Sequence, residues 1–74
     1  MKVENRIKHN LEMVVRYFGK FMDSIEEYEY EYRKDKDKLD LLTDILASEN
    51  PFNSDLVEIL YGLYDYEENI KERL

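Results

Sequence analysis

The sequence predicts a small all-α protein, a helical bundle that forms a single domain over residues 1–74. Three observations favour this fold class. Apolar residues recur at alternating spacings of four and three, which is the period of a helix with one buried face. A charged run at residues 33–38 and the single proline, Pro51, divide this pattern into three segments. A chain of 74 residues can also bury only one small core.

The first and longest helix is predicted from about residue 3 to residue 33. Val15 and Met22, at heptad position e, widen its apolar stripe beyond positions a and d, as a bundle helix requires. Asn5 or Glu4 lies near its start without forming a strong N-cap, and Gly19 falls on the outer face. Position a is occupied by Leu11, Phe18, Ile25 and Tyr32, and position d by Ile7, Val14, Phe21 and Tyr28.

Residues 27–32 alternate glutamate with tyrosine, and a period of two is also the pattern of a strand. Tyr28 and Tyr32 continue the heptad of the first helix, however, and no second strand is available for pairing. We therefore interpret the segment as helical, so that Tyr30 points outward.

The charged run 33–38 leaves two interpretations open. In the first, the run is a turn, and a short second helix follows from about residue 38 to residue 48 with Asp37 as N-cap and Asp40 at position N3. In the second, one helix continues over residues 3–48, because the apolar pattern resumes in phase. That helix would be about 69 Å long, against about 30 Å for a compact small domain, so we favour the turn.

The third helix is predicted from about residue 54 to residue 73. It follows Pro51, and Asn53 or Ser54 is a suitable N-cap. Its apolar stripe consists of Leu56, Ile59, Leu60, Leu63, Tyr66, Ile70 and Leu74. A second apolar face carries Val57, Tyr61 and Tyr64, which a chain this small cannot easily cover from within.

The net charge of −7 is distributed unevenly. Residues 1–22 hold five basic and two acidic side chains, whereas residues 23–74 hold six basic and 16 acidic ones. Such an acidic surface repels phosphate backbones and attracts basic patches on proteins. The basic charges of the first third are ordinary in density for a helix. We therefore expect no direct contact with nucleic acid or a membrane.

Catalytic and metal-binding signatures are missing from the sequence. It has no cysteine, and its one histidine, His9, falls at an outward heptad position. Residues 35–40 superficially resemble a calcium loop but lack its glycine and its final glutamate. Gly19 and Gly62 stand alone, so no phosphate loop is present. We expect a protein that is not an enzyme and needs no metal or cofactor. The absence of cysteine and of an apolar signal segment favours a cytoplasmic location.

Two acidic clusters that contain outward tyrosines are the candidate contact surface. Tyrosine offers a rigid apolar face with a polar tip, and surrounding carboxylates can steer a basic partner. An alternative is a solubilising surface on which the tyrosines are incidental. The candidate partner-binding residues are Asp23, Glu26, Glu27, Tyr30 and Glu31 in the first cluster, and Glu58, Tyr61, Tyr64, Asp65 and Glu68 in the second.

The leading functional hypothesis is an inhibitor or adaptor that masks a basic, nucleic-acid-binding surface of another protein by presenting carboxylates where phosphates would lie. Small phage counter-defence proteins and nuclease immunity proteins act in this way as classes, but the chain carries no motif of either. The alternative is a structural homodimer with antiparallel first helices. In it, the basic region Lys2–Lys20 of one copy faces the acidic region Asp23–Glu31 of the other.

Overall fold

A computed structural model describes residues 2–74, which form three α-helices: α1 (Val3–Glu31), α2 (Lys36–Ser48) and α3 (Leu56–Arg73). No strand occurs in this part of the chain, so the all-α prediction is confirmed and the strand interpretation of residues 27–32 is wrong. A turn at Tyr32–Lys34 separates the first two helices and excludes the continuous helix over residues 3–48. None of the described helices combines the length and the apolar character of a membrane-spanning segment.

The turn after α1 is held by backbone and side-chain hydrogen bonds. The backbone N–H of Asp35 donates to the carbonyl of Tyr32 at 2.9 Å, and the Arg33 guanidinium donates to the carbonyl of Tyr30 at 2.8 Å. The Tyr28 hydroxyl donates to the carbonyl of Lys38 at 3.1 Å and so ties α1 to the first turn of α2. These bonds end α1 at Glu31, slightly before the predicted residue 33.

The N-cap of α2 is Asp35, and the prediction of Asp37 is wrong. The Asp35 carboxylate accepts a hydrogen bond from the backbone N–H of Lys38 at 3.3 Å, so α2 begins at Lys36 and not near residue 38. Asp37 lies inside the first turn, where a negative charge still interacts favourably with the helix dipole.

The loop before α3 is organised by Asn50, whose side chain accepts from the Phe52 N–H at 2.8 Å and donates to the Ser54 carbonyl at 3.2 Å. This arrangement is an Asx turn around the proline. The N-cap of α3 is Asp55, which accepts from the Glu58 N–H at 2.9 Å. The predicted caps Asn53 and Ser54 are therefore wrong, because both belong to the loop that Asn50 closes.

Helices α1 and α3 pack against each other in antiparallel orientation. Leu56, at the start of α3, lines the same groove as Met22 and Ile25 in the second half of α1. At the other end, the Lys71 ammonium bonds to Glu67 at 3.0 Å, and this bond, together with the charge of Glu12 on α1, raises the pKa of Lys71. The two ends of α3 thus lie beside opposite halves of α1.

The core is minimal. Within residues 2–74 only Val15 is buried, at 8% exposure, while the other residues that face α3 from positions a and e are half-buried. The predicted stripe of α1 is only partly covered, because the position d residues Ile7, Val14 and Phe21 remain exposed. On α3, Tyr66 was expected in the stripe but is 66% exposed, and the half-buried Glu67 takes that place.

The molecule is an elongated slab whose Cα atoms extend 49 × 24 × 14 Å. Its radius of gyration is 15.8 Å, whereas a compact domain of this length would have about 11 Å. A thickness of 14 Å matches two helices packed about 8–10 Å apart. The compact shape assumed in weighing the helix break is therefore wrong, although the break itself is present.

Candidate functional site

The three helices meet at a groove of about 840 Å³, which lies between the second half of α1, the end of α2 and the start of α3. Half-buried Met22, Ile25 and Leu56 contribute to its apolar lining. The carboxylates in the lining are those of Glu26, Glu29, Asp55 and Glu58, and no lysine or arginine lines it. We name this site the acidic groove.

Local helix geometry places these carboxylates in two pairs. Glu26 and Glu29 are three residues apart on α1 and therefore share a face, as Asp55 and Glu58 do at the start of α3. The second pair sits at a helix N-terminus, where the dipole favours negative charge. The first pair lies toward the C-terminal end of α1, where the dipole opposes it, and the last turn of α1 carries no basic residue.

A second concavity, of about 860 Å³, is formed by α1 and the turn that follows it. We name it the α1 concavity. It is lined by Asp23, Ser24, Glu26, Glu27, Tyr28, Tyr30, Glu31 and Tyr32. Glu26 lines both sites, so the two acidic sites are contiguous. The Arg33 guanidinium lies 4.4 Å from the centre of the Tyr30 ring, so a cation of the same chain already occupies one face of this tyrosine.

The outward face of α3 continues from the acidic groove. Val57 lines the groove, and Tyr61 and Tyr64 follow it at spacings of four and three, so the three side chains form one row. Tyr61 is 63% exposed and Tyr64 is 47% exposed. Asp65 and Glu68, on the same stretch of helix, are exposed as well.

All ten residues that the sequence singled out are exposed. The structure brings Glu26 and Glu58 together in the acidic groove and gathers the five residues of the first cluster around the α1 concavity. Tyr61, Tyr64, Asp65 and Glu68 line neither site and extend away from the groove along α3. Their role in binding a partner stays a prediction.

Sequence reasoning missed several residues of the acidic groove. Glu29 and Asp55 were not selected, because the antiparallel packing that brings them together cannot be inferred from helix periodicity. Phe52 was missed too, although a large aromatic residue directly after Pro51 in a loop is a usable signal. This side chain lines the groove and is exposed, so it adds apolar surface at one end.

The arrangement can hold a cation or a cationic side chain but offers no preformed chelate. Residues 2–74 contain no group of three or more potential ligand side chains placed to hold a metal ion. His9 is exposed on the outer part of α1, and Asp35, in the segment resembling a calcium loop, serves as a helix cap. The chain matches no protein-family model, no curated protein and no solved structure.

Proposed function

We propose that this protein is a non-enzymatic binding module that occupies and masks a basic, nucleic-acid-binding surface of another protein. The observation that carries the proposal is the acidic groove, which combines an apolar lining with four carboxylates and no basic side chain. Lysine and arginine have an apolar stem and a charged head, so they match both parts of such a lining. The absence of cysteine suits a partner in the reducing cytoplasm.

The concentration of acidic residues near the end of α1 supports a binding role. Carboxylates there act against the helix dipole, and they repel one another within the α1 concavity. The last turn of α1 has four acidic carboxylates nearby and no lysine or arginine of its own, and the nearest cation, Arg33, lies in the turn that follows and bonds to the carbonyl of Tyr30. Departures of this kind from local preference are expected at functional sites.

The row Val57, Tyr61 and Tyr64 supplies the apolar part of the proposed interface. Charged rims chiefly govern association rate and register, whereas buried aromatic side chains carry most of the binding free energy. The exposed tyrosines begin one helical turn from the groove, so a partner can contact both at once. The carboxylates then lie against the cationic side chains that otherwise bind phosphates.

Affinity purification from a lysate, followed by mass spectrometry, tests the charge requirement. We expect the captured proteins to be enriched in basic, nucleic-acid-handling proteins and to be lost with the double variant Glu26→Gln/Glu58→Gln. The matched control, Asp44→Asn/Glu72→Gln, changes net charge equally at exposed positions outside both concavities. Equal loss with both double variants, or capture without a bias toward basic proteins, would contradict the proposal.

Single substitutions test the tyrosine row with the partner so identified. We expect Tyr61→Ala and Tyr64→Ala each to weaken binding by about 1–2 kcal/mol or more, measured by titration calorimetry, with little change in melting temperature because both side chains are exposed. Leu63→Ala is the comparison, since Leu63 is half-buried and its loss should lower the melting temperature. If the tyrosine variants melt as early as Leu63→Ala, the row belongs to the fold and not to the interface.

A further inference from the structure

Within residues 2–74, one apolar face of α1 has no neighbouring helix. It runs along heptad positions d and g at spacings of four and three, and α3 covers only the adjacent positions a and e. We name this row the α1 ridge. It consists of Val3, Ile7, Val14, Tyr17 and Phe21, which are between 42% and 58% exposed. The row spans most of the first 21 residues and lies beside the α1 concavity.

We propose that a second copy of this chain covers the α1 ridge, with the two α1 helices antiparallel. Charge distribution identifies this occupant. Residues 1–22 carry five basic and two acidic side chains, whereas the α1 concavity at the other end of the same helix has four carboxylates in its lining. An antiparallel pair lays the basic end of each copy over the acidic concavity of the other, twice by symmetry.

The apolar pattern limits the possible registers but does not select one. The α1 ridge uses positions d and g in the way that an ordinary coiled coil uses positions a and d. When two such ridges pack antiparallel, a position d residue of one helix therefore lies against a position g residue of the other. In one register, Val14 lies opposite Tyr17 of the second copy, and Ile7 lies opposite Ser24. Shifts of seven residues keep positions d and g in opposition but change the residues that meet, and one such shift pairs Val3 with Phe21 and Ile7 with Tyr17. Because the apolar pattern does not select one register, the flanking charges must do so.

The charges at position c, which flank the ridge, favour this register over its neighbours. The register with Val14 opposite Tyr17 places Arg6 opposite Glu27 of the second copy, again twice by symmetry. A shift of one heptad in one direction places Arg6 opposite Lys20. A shift in the other direction places Lys20 opposite the same lysine of the second copy. Like charges in direct opposition are unfavourable, so only the first register has complementary flanks.

Sedimentation velocity from micromolar to millimolar protein tests whether the ridge forms a dimer. We expect the wild type to dimerise and Val14→Asp to raise the dissociation constant about tenfold or more. Leu41→Asp is the matched control: Leu41 lies on α2 and is 57% exposed, against 51% for Val14. Circular dichroism checks that both variants keep their helices. A wild type that stays monomeric throughout, or equal weakening by both substitutions, overturns the proposal.

A charge exchange tests the register. Arg6→Glu and Glu27→Arg should each weaken the dimer, because each places like charges in opposition, and the double variant should restore most of the lost affinity. Added salt should reduce the differences in dimer affinity among the two single variants and the double variant. A double variant that is weaker than both single variants overturns the assigned pairing.

Spin labels test the orientation, and the cysteine-free chain makes single labels simple to place. Lys2→Cys and Arg16→Cys put labels at the same heptad position, on the outer side of α1. In the antiparallel register the two Lys2 labels are about 40 Å apart along the helix axis, whereas the Arg16 labels are about 2 Å apart along it. A clearly longer distance for Lys2 supports the arrangement. Equal distances indicate a parallel pair and overturn it.

Discussion

At the scale of single residues, Gly19 and Gly62 are positions where the backbone conformation and the packing do not require glycine. Apart from its chain neighbours and the backbone of its own helix, a methyl group added at either one would have no atom within 4 Å, and neither residue has a positive φ angle. Glycine inside a helix costs about 0.5–1 kcal/mol relative to alanine because it loses more backbone freedom on folding. Both glycines therefore lower the stability of the helices that contain them.

We predict that Gly19→Ala raises the free energy of unfolding by about 0.5–1 kcal/mol, measured by chemical denaturation. A gain of 1 kcal/mol corresponds to roughly 4–8 °C in melting temperature for a domain of this size. Gly62→Ala should shift stability in the same direction. A lower melting temperature for Gly19→Ala would show that the outer face of α1 contacts something that the monomer does not contain.

The ion pair between Lys71 and Glu67 allows a prediction about pH. The hydrogen bond and the charge of Glu67 raise the pKa of Lys71 in the folded state. A cation that folding favours contributes stability that is fully present below its unfolded pKa and is lost as the pH rises through its folded pKa. We predict that NMR titration finds a lower Lys71 pKa in Glu67→Gln than in the wild type, with the difference in stability between the two chains shrinking in strong alkali. An unchanged pKa would contradict the pairing.

The position of Glu67 could not be predicted from the pattern of single residues. Tyr66 and Glu67 are adjacent, and either could follow Leu63 toward α1 because helical spacing allows three or four residues. Hydrophobicity favoured Tyr66, but the structure turns Glu67 inward, where it meets Lys71 one turn later. Whether Tyr66 or Glu67 faces α1 depends on a small rotation of α3 about its axis, and helical periodicity does not define that rotation.

At the scale of helices, the start of α2 distinguishes two aspartates that look equivalent in sequence. Asp35 accepts from the Lys38 N–H and is the N-cap, whereas Asp37 lies in the first turn. We predict that Asp35→Ala lowers the free energy of unfolding by about 1 kcal/mol, whereas Asp37→Ala lowers it by only a few tenths through the helix dipole. Chemical denaturation of the two variants measures both. A larger loss of stability for Asp37→Ala than for Asp35→Ala would indicate that Asp37 is the N-cap.

Helix existence and order were predictable because they depend on local signals. The heptad from Ile7 to Tyr32 indicated α1, Pro51 ended the second segment, and the charged run marked the turn. Boundaries were less predictable, because the choice between nearby caps depends on local geometry: Asp35 and not Asp37 accepts from the Lys38 N–H, so α2 begins earlier than the sequence suggested. The ten candidate binding residues could be chosen as outward positions, but the groove that unites Glu26 with Glu58 depends on packing between α1 and α3.

At the scale of the whole molecule, the three helices cannot enclose a core. Helix α1, with 29 residues, is about 43 Å long, whereas α3, with 18 residues, is about 27 Å long, so α1 extends beyond the helix with which it packs most extensively. The slab is two helices thick, and Val15 is the sole buried residue among those described. A monomer with so little burial gains little from the hydrophobic effect, which is proportional to the apolar area removed from water. Any partner that covers the α1 ridge adds directly to its stability.

This dependence predicts a melting temperature that changes with protein concentration. If the second copy binds the folded chain and not the unfolded one, mass action favours folding as concentration rises. We expect the melting temperature of the wild type to increase steadily from micromolar to millimolar protein, followed by circular dichroism in cells of matched absorbance. Val14→Asp should melt at one temperature throughout, whereas Leu41→Asp should behave like the wild type because Leu41 lies outside the ridge. A wild type whose melting temperature is constant over the whole range would mean that α1 keeps its exposed apolar face in the folded monomer and that the ridge is not an interface between copies.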